Sequence, residues 1–189
     1  MEEISRETIG RCRDGDVGAF SRLVGLYEGP VYCFVYRLLR NTPVSSEAED
    51  VVQDIFIKVY HKIHTYDLNR GCKFSTWLFT IARNHCVSLL RKKSVETGQV
   101  NFGDESVGAV AEHRLPNPRD AACGKELSEK VAESVSALPE RMRTAFVLRH
   151  YEDMSYDEIA AIMDCSNGTV KSQVAQARRK LLRDLDDYL

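Results

Sequence analysis

The side chains of this 189-residue chain that could do chemistry are cations and small polar groups set at helical spacing. Between residues 165 and 183 there is no acid, while Lys171, Arg178, Arg179, Lys180 and Arg183 are basic. Ser172, Ala175, Gln176 and Arg179 fall on one side of a helix whose other side is Val170, Val174, Ala177 and Leu181. A second acid-free stretch, 68–95, carries Arg70, Lys73, Arg83, Arg91, Lys92 and Lys93, interleaved with Phe74 and Trp77 and preceded by Tyr66. Cations hold phosphates and aromatic rings stack on unpaired bases, so the chemistry open to these groups is recognition of a nucleic acid. Catalysis is not indicated: there is no phosphate loop of the G-x-x-x-x-G-K-[ST] type, no zinc constellation and no nucleophile elbow. No catalytic residue, metal ligand or cofactor is assigned.

The elements that must position these groups are helices throughout. Ser155 and Glu158 have the S-x-x-E spacing of a capping box, which starts a short helix with Ile159, Ala160, Ile162 and Met163 on its apolar side. The pattern breaks at Asp164, Cys165, Ser166 and Asn167, and the basic helix begins near Gly168. A short helix, a tight turn and a basic amphipathic helix suit reading of a duplex major groove. Further upstream, helical periodicity covers 4–39, where Gly29-Pro30 should interrupt it because proline cannot donate to the helix ladder. A turn at Asn41-Thr42-Pro43 precedes a helix over 46–63, with Ser46 and Glu49 as a second capping box. Glu47, Glu49, Asp50, Gln53 and Asp54 crowd the first two turns of that helix, where acids complement the helix dipole and could also dock a basic partner. Residues 65–74 read as a polar loop, and Ser75 as the cap of a helix over 76–93. After an acidic stretch with Gly98, Gly103, Gly108, Pro116 and Pro118, helical patterning returns over 121–137. It resumes beyond Pro139, which suits a first helical turn.

The expected architecture is all-α, in two small helical domains: 1–93, then a flexible acidic linker over 94–121, then a helix-turn-helix domain over 122–189. Net charge is −2, so basic character is local rather than global. The six cysteines form no C-x-x-C pair and suit a reducing compartment; His61 and His64 lack a third ligand. The acidic start carries no signal-peptide pattern and no stretch is apolar enough to span a bilayer, so a cytoplasmic location without membrane insertion is expected.

Three segments together, AEDVVQDIFIKVYHKI, FSTWLFTIARN and LPERMRTAFVLRHYEDMSYDEIAAIMDCSNGTVKS, resemble the extracytoplasmic-function sigma factors of bacteria, in order and separation, over nearly the whole chain. The likeness to the sigma-E type is clearest over YDEIAAIMDC and GTVKS. It implies a promoter-specificity subunit that binds core RNA polymerase, directs it to promoters in a stress response and helps open the DNA. The first domain would be region 2. Its acidic helix, through Glu49, Asp50, Gln53, Asp54 and Lys58, would meet the polymerase clamp. The loop over 65–74 and the helix after it would hold the −10 element through Arg70, Lys73, Phe74, Thr76, Arg83 and Asn84, with Arg91 and Lys92 on the upstream backbone. A flipped base needs a pocket and cations beside it. The second domain would be region 4, reading the −35 element through Thr169, Lys171, Ser172, Gln173 and Gln176, with Arg178 and Arg179 on phosphates. The sigma-E pattern resembles GTVRSR followed by an aromatic and another arginine, where this chain has Lys171, Gln173, Ala175 and Gln176, so its −35 sequence should be its own. The resemblance also implies an anti-sigma factor, and no small-molecule substrate.

Two promoter elements about two duplex turns apart lie roughly 70 Å apart, whereas a free coil of about 28 residues averages about 30 Å, so polymerase must stretch the linker and the free protein should bind promoters poorly. The competing reading is an autonomous helix-turn-helix regulator, which would bind duplex tightly alone and, in most such proteins, as a dimer; no dimerisation segment is evident.

Overall fold

The computed structural model describes residues 3–68, 71–96 and 125–186. Within them the chain is helical, with no strand: α1 (Arg6–Arg13), α2 (Val17–Leu39), α3 (Ala48–Lys62), α4 (Phe74–Glu96), α5 (Lys125–Ser136), α6 (Glu140–His150), α7 (Tyr156–Met163) and α8 (Asn167–Asp184). The linker expected over 94–121 lies, beyond Glu96, outside the described residues; Ser94, Val95 and Glu96 belong to α4.

In the first module α2 is the central helix. Leu23, Tyr27, Val31, Phe34 and Leu38 recur at steps of four, four, three and four and are buried. They meet Ile55 and Val59 of α3 and Leu78, Phe79 and Ala82 of α4, where the Phe34 and Phe79 rings stand edge to face at 5.2 Å. Each such side chain contributes roughly 1.5–3 kcal/mol on leaving water.

That burial explains the first correction. Gly29-Pro30 does not interrupt the helix; α2 continues through Pro30. Proline removes one ladder bond, but Gly29 is exposed, and the apolar stripe on both sides is kept in register only if the helix continues. The real break is at Asp14, Gly15 and Asp16: Gly15 has φ 86°, and the Asp16 carboxylate accepts from the Ala19 N–H to start α2.

Two expected caps are also absent. Ser46 sits inside a single 3-10 turn, Ser45–Glu47, and α3 starts at Ala48 without a side-chain cap. Ser75 lies within α4, which begins at Phe74. Glu3 instead reaches across the module, accepting from the Ser75 backbone N–H at 3.4 Å and from its hydroxyl. Tyr27 Oη also donates to Glu3 and accepts from the Ile4 N–H. An acid at a helix N-terminus satisfies free N–H groups and complements the dipole, so the chain start supplies what Ser75 was expected to supply.

In the second module, α6, α7 and α8 pack around Ala145, Leu148, Ile159, Ile162, Val170, Val174, Ala177 and Leu181. Pro139 stands just before α6 rather than in its first turn. The capping box at α7 forms as the spacing requires: Ser155 Oγ accepts from the Glu158 N–H at 3.2 Å, and the Glu158 carboxylate accepts from the Ser155 N–H at 2.7 Å. Asp164 closes α7 in a left-handed conformation (φ 51°), and Ser166 caps α8 through the Thr169 N–H. Asn167 donates to Asp157 at 2.6 Å and ties the two helices together.

The two modules pack on one another, α4 against α7 and α2 against α5 and α6. Arg143 of α6 donates to the Leu38 carbonyl at 2.8 Å, Asn41 donates to Ser136 at 2.5 Å, and the Arg37 guanidinium lies 3.9 Å from the centre of the Tyr151 ring.

Candidate nucleic-acid and polymerase interfaces

The helix-turn-helix presents α8 with its basic side outward. Lys171, Ser172, Ala175, Arg178 and Arg179 are exposed, while Val170, Val174 and Ala177 are buried beneath them. Gln176 donates to Ser172 Oγ at 2.9 Å, an arrangement that parks an amide able to turn to a base edge. Lys171 stands 5.7 Å from the Tyr156 ring centre, which restrains it at the start of the reading helix. Thr169 is half-buried with its backbone N–H on the Ser166 cap. Gln173 differs from its neighbours: it is half-buried, with Oε1 shielded and without a partner. Arg179, Lys180 and Arg183 line, with Met142 and Gln176, a basic groove of about 460 Å³ beside α6, which suits a phosphate backbone following the reading helix.

The acidic start of α3 is an open surface: Glu49, Asp50, Gln53, Asp54 and Lys58 are all exposed. Sequence alone did not reveal that α2 completes it. A groove of about 410 Å³ runs between the two helices, lined by Glu28, Gly29, Tyr32, Cys33, Glu49, Val52 and Gln53. Lys58 and Asp54 are further ordered by His85 of α4, whose Nδ1 faces Lys58 Nζ and whose Nε2 lies 3.7 Å from Asp54. Burial and then the Lys58 charge hold the His85 imidazole below its ordinary pKa, so the neutral ring accepts from the lysine.

The −10 candidates are placed differently from one another. Arg70 lies outside the described residues. Asn84, Arg91 and Lys92 are exposed. Phe74 and Thr76, however, are 1 % and 3 % exposed, so neither can touch DNA in this arrangement. Phe74 packs against Tyr27, Tyr66 and Trp77, and its ring is part of the first core. Trp77 is half-buried in the same aromatic cluster. Tyr66 shapes the loop from inside by donating to the Cys72 carbonyl at 2.6 Å. Lys73 and Arg83 are bound to acids of the second module: Lys73 to Glu158 at 2.8 Å and Arg83 to Glu140 at 3.7 Å.

Comparison with known proteins shows the family to which the chain belongs. Sigma-70 region 2 matches residues 23–95, and sigma-70 region 4 matches residues 128–181. The chain is an extracytoplasmic-function sigma factor of the sigma-70 family. It is 36% identical to the ECF RNA polymerase sigma factor SigW of Bacillus subtilis, over 98% of this chain and 100% of that one. It is 37% identical to the ECF RNA polymerase sigma-E factor of Escherichia coli K12, over 92% of this chain and 90% of the other. The fold matches the sigma factor RpoE of Bartonella quintana, solved with the anti-sigma factor NepR, at a TM-score of 0.73 and 28% identity over 92% of this chain and 100% of that one. It also matches CnrH, solved with the cytosolic domain of CnrY, at 0.68 and 25% over 97% and 98%. The protein therefore directs core RNA polymerase to promoters and initiates transcription there, and the autonomous-regulator reading is not favoured. Sigma factors as a family are not catalytic enzymes.

Proposed function

We propose that this sigma factor divides promoter recognition between its modules: residues 1–93 dock on polymerase and take the −10 element, and residues 122–189 read the −35 element. The observation that carries this reading is the outward basic side of α8, held over a buried apolar side by a turn with caps at both ends. Lys171, Ser172 and Gln176 reach base edges, and Arg178 and Arg179 hold phosphates and set register. Thr169 contributes through the first turn of α8, and Gln173 contributes once the module engages DNA. In the first module Lys73, Arg83 and Asn84 hold the unpaired strand near the −10 element, Arg70 assists them, and Arg91 and Lys92 meet the upstream backbone.

The polymerase clamp is met by Glu49, Asp50, Gln53, Asp54 and Lys58, joined by Glu28 and Tyr32 from α2 because these line the same groove. An anti-sigma factor is a further partner; the neighbours RpoE and CnrH were both solved with other proteins bound, RpoE with an anti-sigma factor. Among the described residues no helix is long and apolar enough to cross a membrane, and the working place of the protein is the cytoplasm beside polymerase. The test adds the purified chain to core polymerase on a genomic promoter library. Promoter-specific transcripts are expected, with −35 boxes shared among the responding promoters; tight duplex binding by the chain alone, with no transcripts, would overturn the division.

A further inference from the structure

Lys73, immediately before α4, and Thr76, Thr80 and Arg83 within it follow one another at steps of three, four and three, and so continue one stripe along that side of the helix. Two polar atoms of that stripe, Thr76 Oγ1 and Arg83 Nε, are buried with no hydrogen-bond partner. Buried polar atoms in a settled interface are nearly always paired, so this stripe is shaped for something other than what now covers it. What covers α4 is the second module, and it meets the cations of the stripe with acids. Glu158 takes Lys73 with one carboxylate oxygen while the other stays in the capping box. Glu140, in the first turn of α6, faces Arg83, whose side chain is only 15% exposed, and its Oε1 makes no proper hydrogen bond. The Lys73 pair is close, at 2.8 Å, while the Arg83 pair, at 3.7 Å, is matched in charge but loose in geometry.

The reading helix is treated oppositely. Lys171, Ser172, Arg178 and Arg179 remain exposed and carry no acid partner among the described residues, whereas Thr76 and Arg83 are covered and Lys73, 60% exposed, is held by Glu158. Polar contacts from Arg143, Asn41 and Arg37 also cross the seam, beside an apolar core that runs on from one module to the other.

We propose that Glu140 and Glu158 occupy the Lys73 and Arg83 cations in the free protein as intramolecular stand-ins for DNA phosphates, blocking that part of the −10 surface while leaving the −35 helix open. This rests on the assignment of Lys73 and Arg83 to the −10 strand. Free protein is then able to touch duplex through α8 but cannot hold an unpaired strand until the modules part. Charge complementarity makes the exchange direct, since a phosphate can replace each carboxylate on the same cation.

The test uses the full chain with Glu140→Gln and Glu158→Gln together. Glutamine serves in a capping box, so α7 keeps its start. The free double variant should bind a fluorescent mixed-sequence single-stranded DNA about tenfold more tightly than the parent. Its binding to duplex DNA should change by less than about twofold, as should its transcript yield in the polymerase holoenzyme, where the modules are already apart. Adding Lys73→Ala and Arg83→Ala should erase the gain. No gain in single-strand binding overturns the proposal, as does an equal gain on duplex, which would mean only a general loss of negative charge. If Lys73→Ala with Arg83→Ala erases the gain yet leaves holoenzyme transcription intact, the masking stands and the −10 assignment falls. If the same pair cripples transcription while the glutamine variant gains nothing, the assignment stands and the masking falls.

Discussion

Arg143→Ala should loosen the packing of the two modules without unfolding either. The guanidinium donates Nη1 to the Leu38 carbonyl at 2.8 Å, across the seam, and Nε and Nη2 to the Leu138 carbonyl at 3.3 and 3.1 Å within its own module. Leu38 lies in the last turn of α2, where carbonyls lack helical partners and a cation is favoured by the dipole. A hydrogen bond from a charged donor contributes about 1.5–3 kcal/mol. Part of this is offset, because burial pulls the Arg143 pKa down to about 10. A net loss of about 1–2 kcal/mol shifts the closed-to-open ratio by roughly 5–30-fold. Small-angle X-ray scattering of the free chain should show a larger radius of gyration, and hydrogen exchange should rise along α4. Circular dichroism should retain the helical signal. Arg143→Lys should give an intermediate result, since a single ammonium cannot serve two carbonyls as a planar fork does. Unchanged scattering and exchange in Arg143→Ala would refute the role given to this side chain.

Three further outcomes follow from the geometry. Burial, with the charges of Lys58 at His85 and of Arg178 and Arg149 at His150, keeps both imidazoles below the ordinary histidine value of 6.5, outweighing Asp54 and Asp153. The unfolded chain therefore binds more protons just below that value, so melting temperature should fall as pH drops from about 6.5, and His85→Gln should flatten part of the fall; a rise would contradict the neutral assignments. Glu3→Ala should cost about 1 kcal/mol of thermal stability by uncapping α4, a shift resolvable by calorimetry, whereas Glu7→Ala on the exposed side of α1 should change it by less than about 0.5 kcal/mol. In the holoenzyme Gln176→Ala should relax −35 preference on a randomised promoter library, while Arg179→Ala should weaken all sequences alike and lower the salt slope by about one.

Some of this was legible in residue order because its cause is local. The capping box at Ser155 and Glu158, the turn at Asp164, and the buried and exposed sides of α8 depend on groups within a few residues of one another, and the structure has them where spacing puts them. The same local rules failed at Pro30, Ser46 and Ser75. At Pro30 the packed stripe of α2 outweighs a lost ladder bond. At Ser46 the chain enters α3 through a 3-10 turn, in which the Glu47 N–H donates to the Val44 carbonyl, and no side-chain cap forms. At Ser75 an acid more than seventy residues away does the capping.

By itself, then, the order of residues determined that the chain is helical, which sides of the helices are apolar, and that two acid-free stretches could meet a nucleic acid, because helical period is a property of neighbouring residues. Only the tertiary structure decided which of those cations are free to do so. Glu140 and Glu158 read as ordinary first-turn acids of their own helices. Their meeting with Arg83 and Lys73 depends on how α6 and α7 sit on α4, and burial of the whole seam fixes that relation rather than any spacing along the chain.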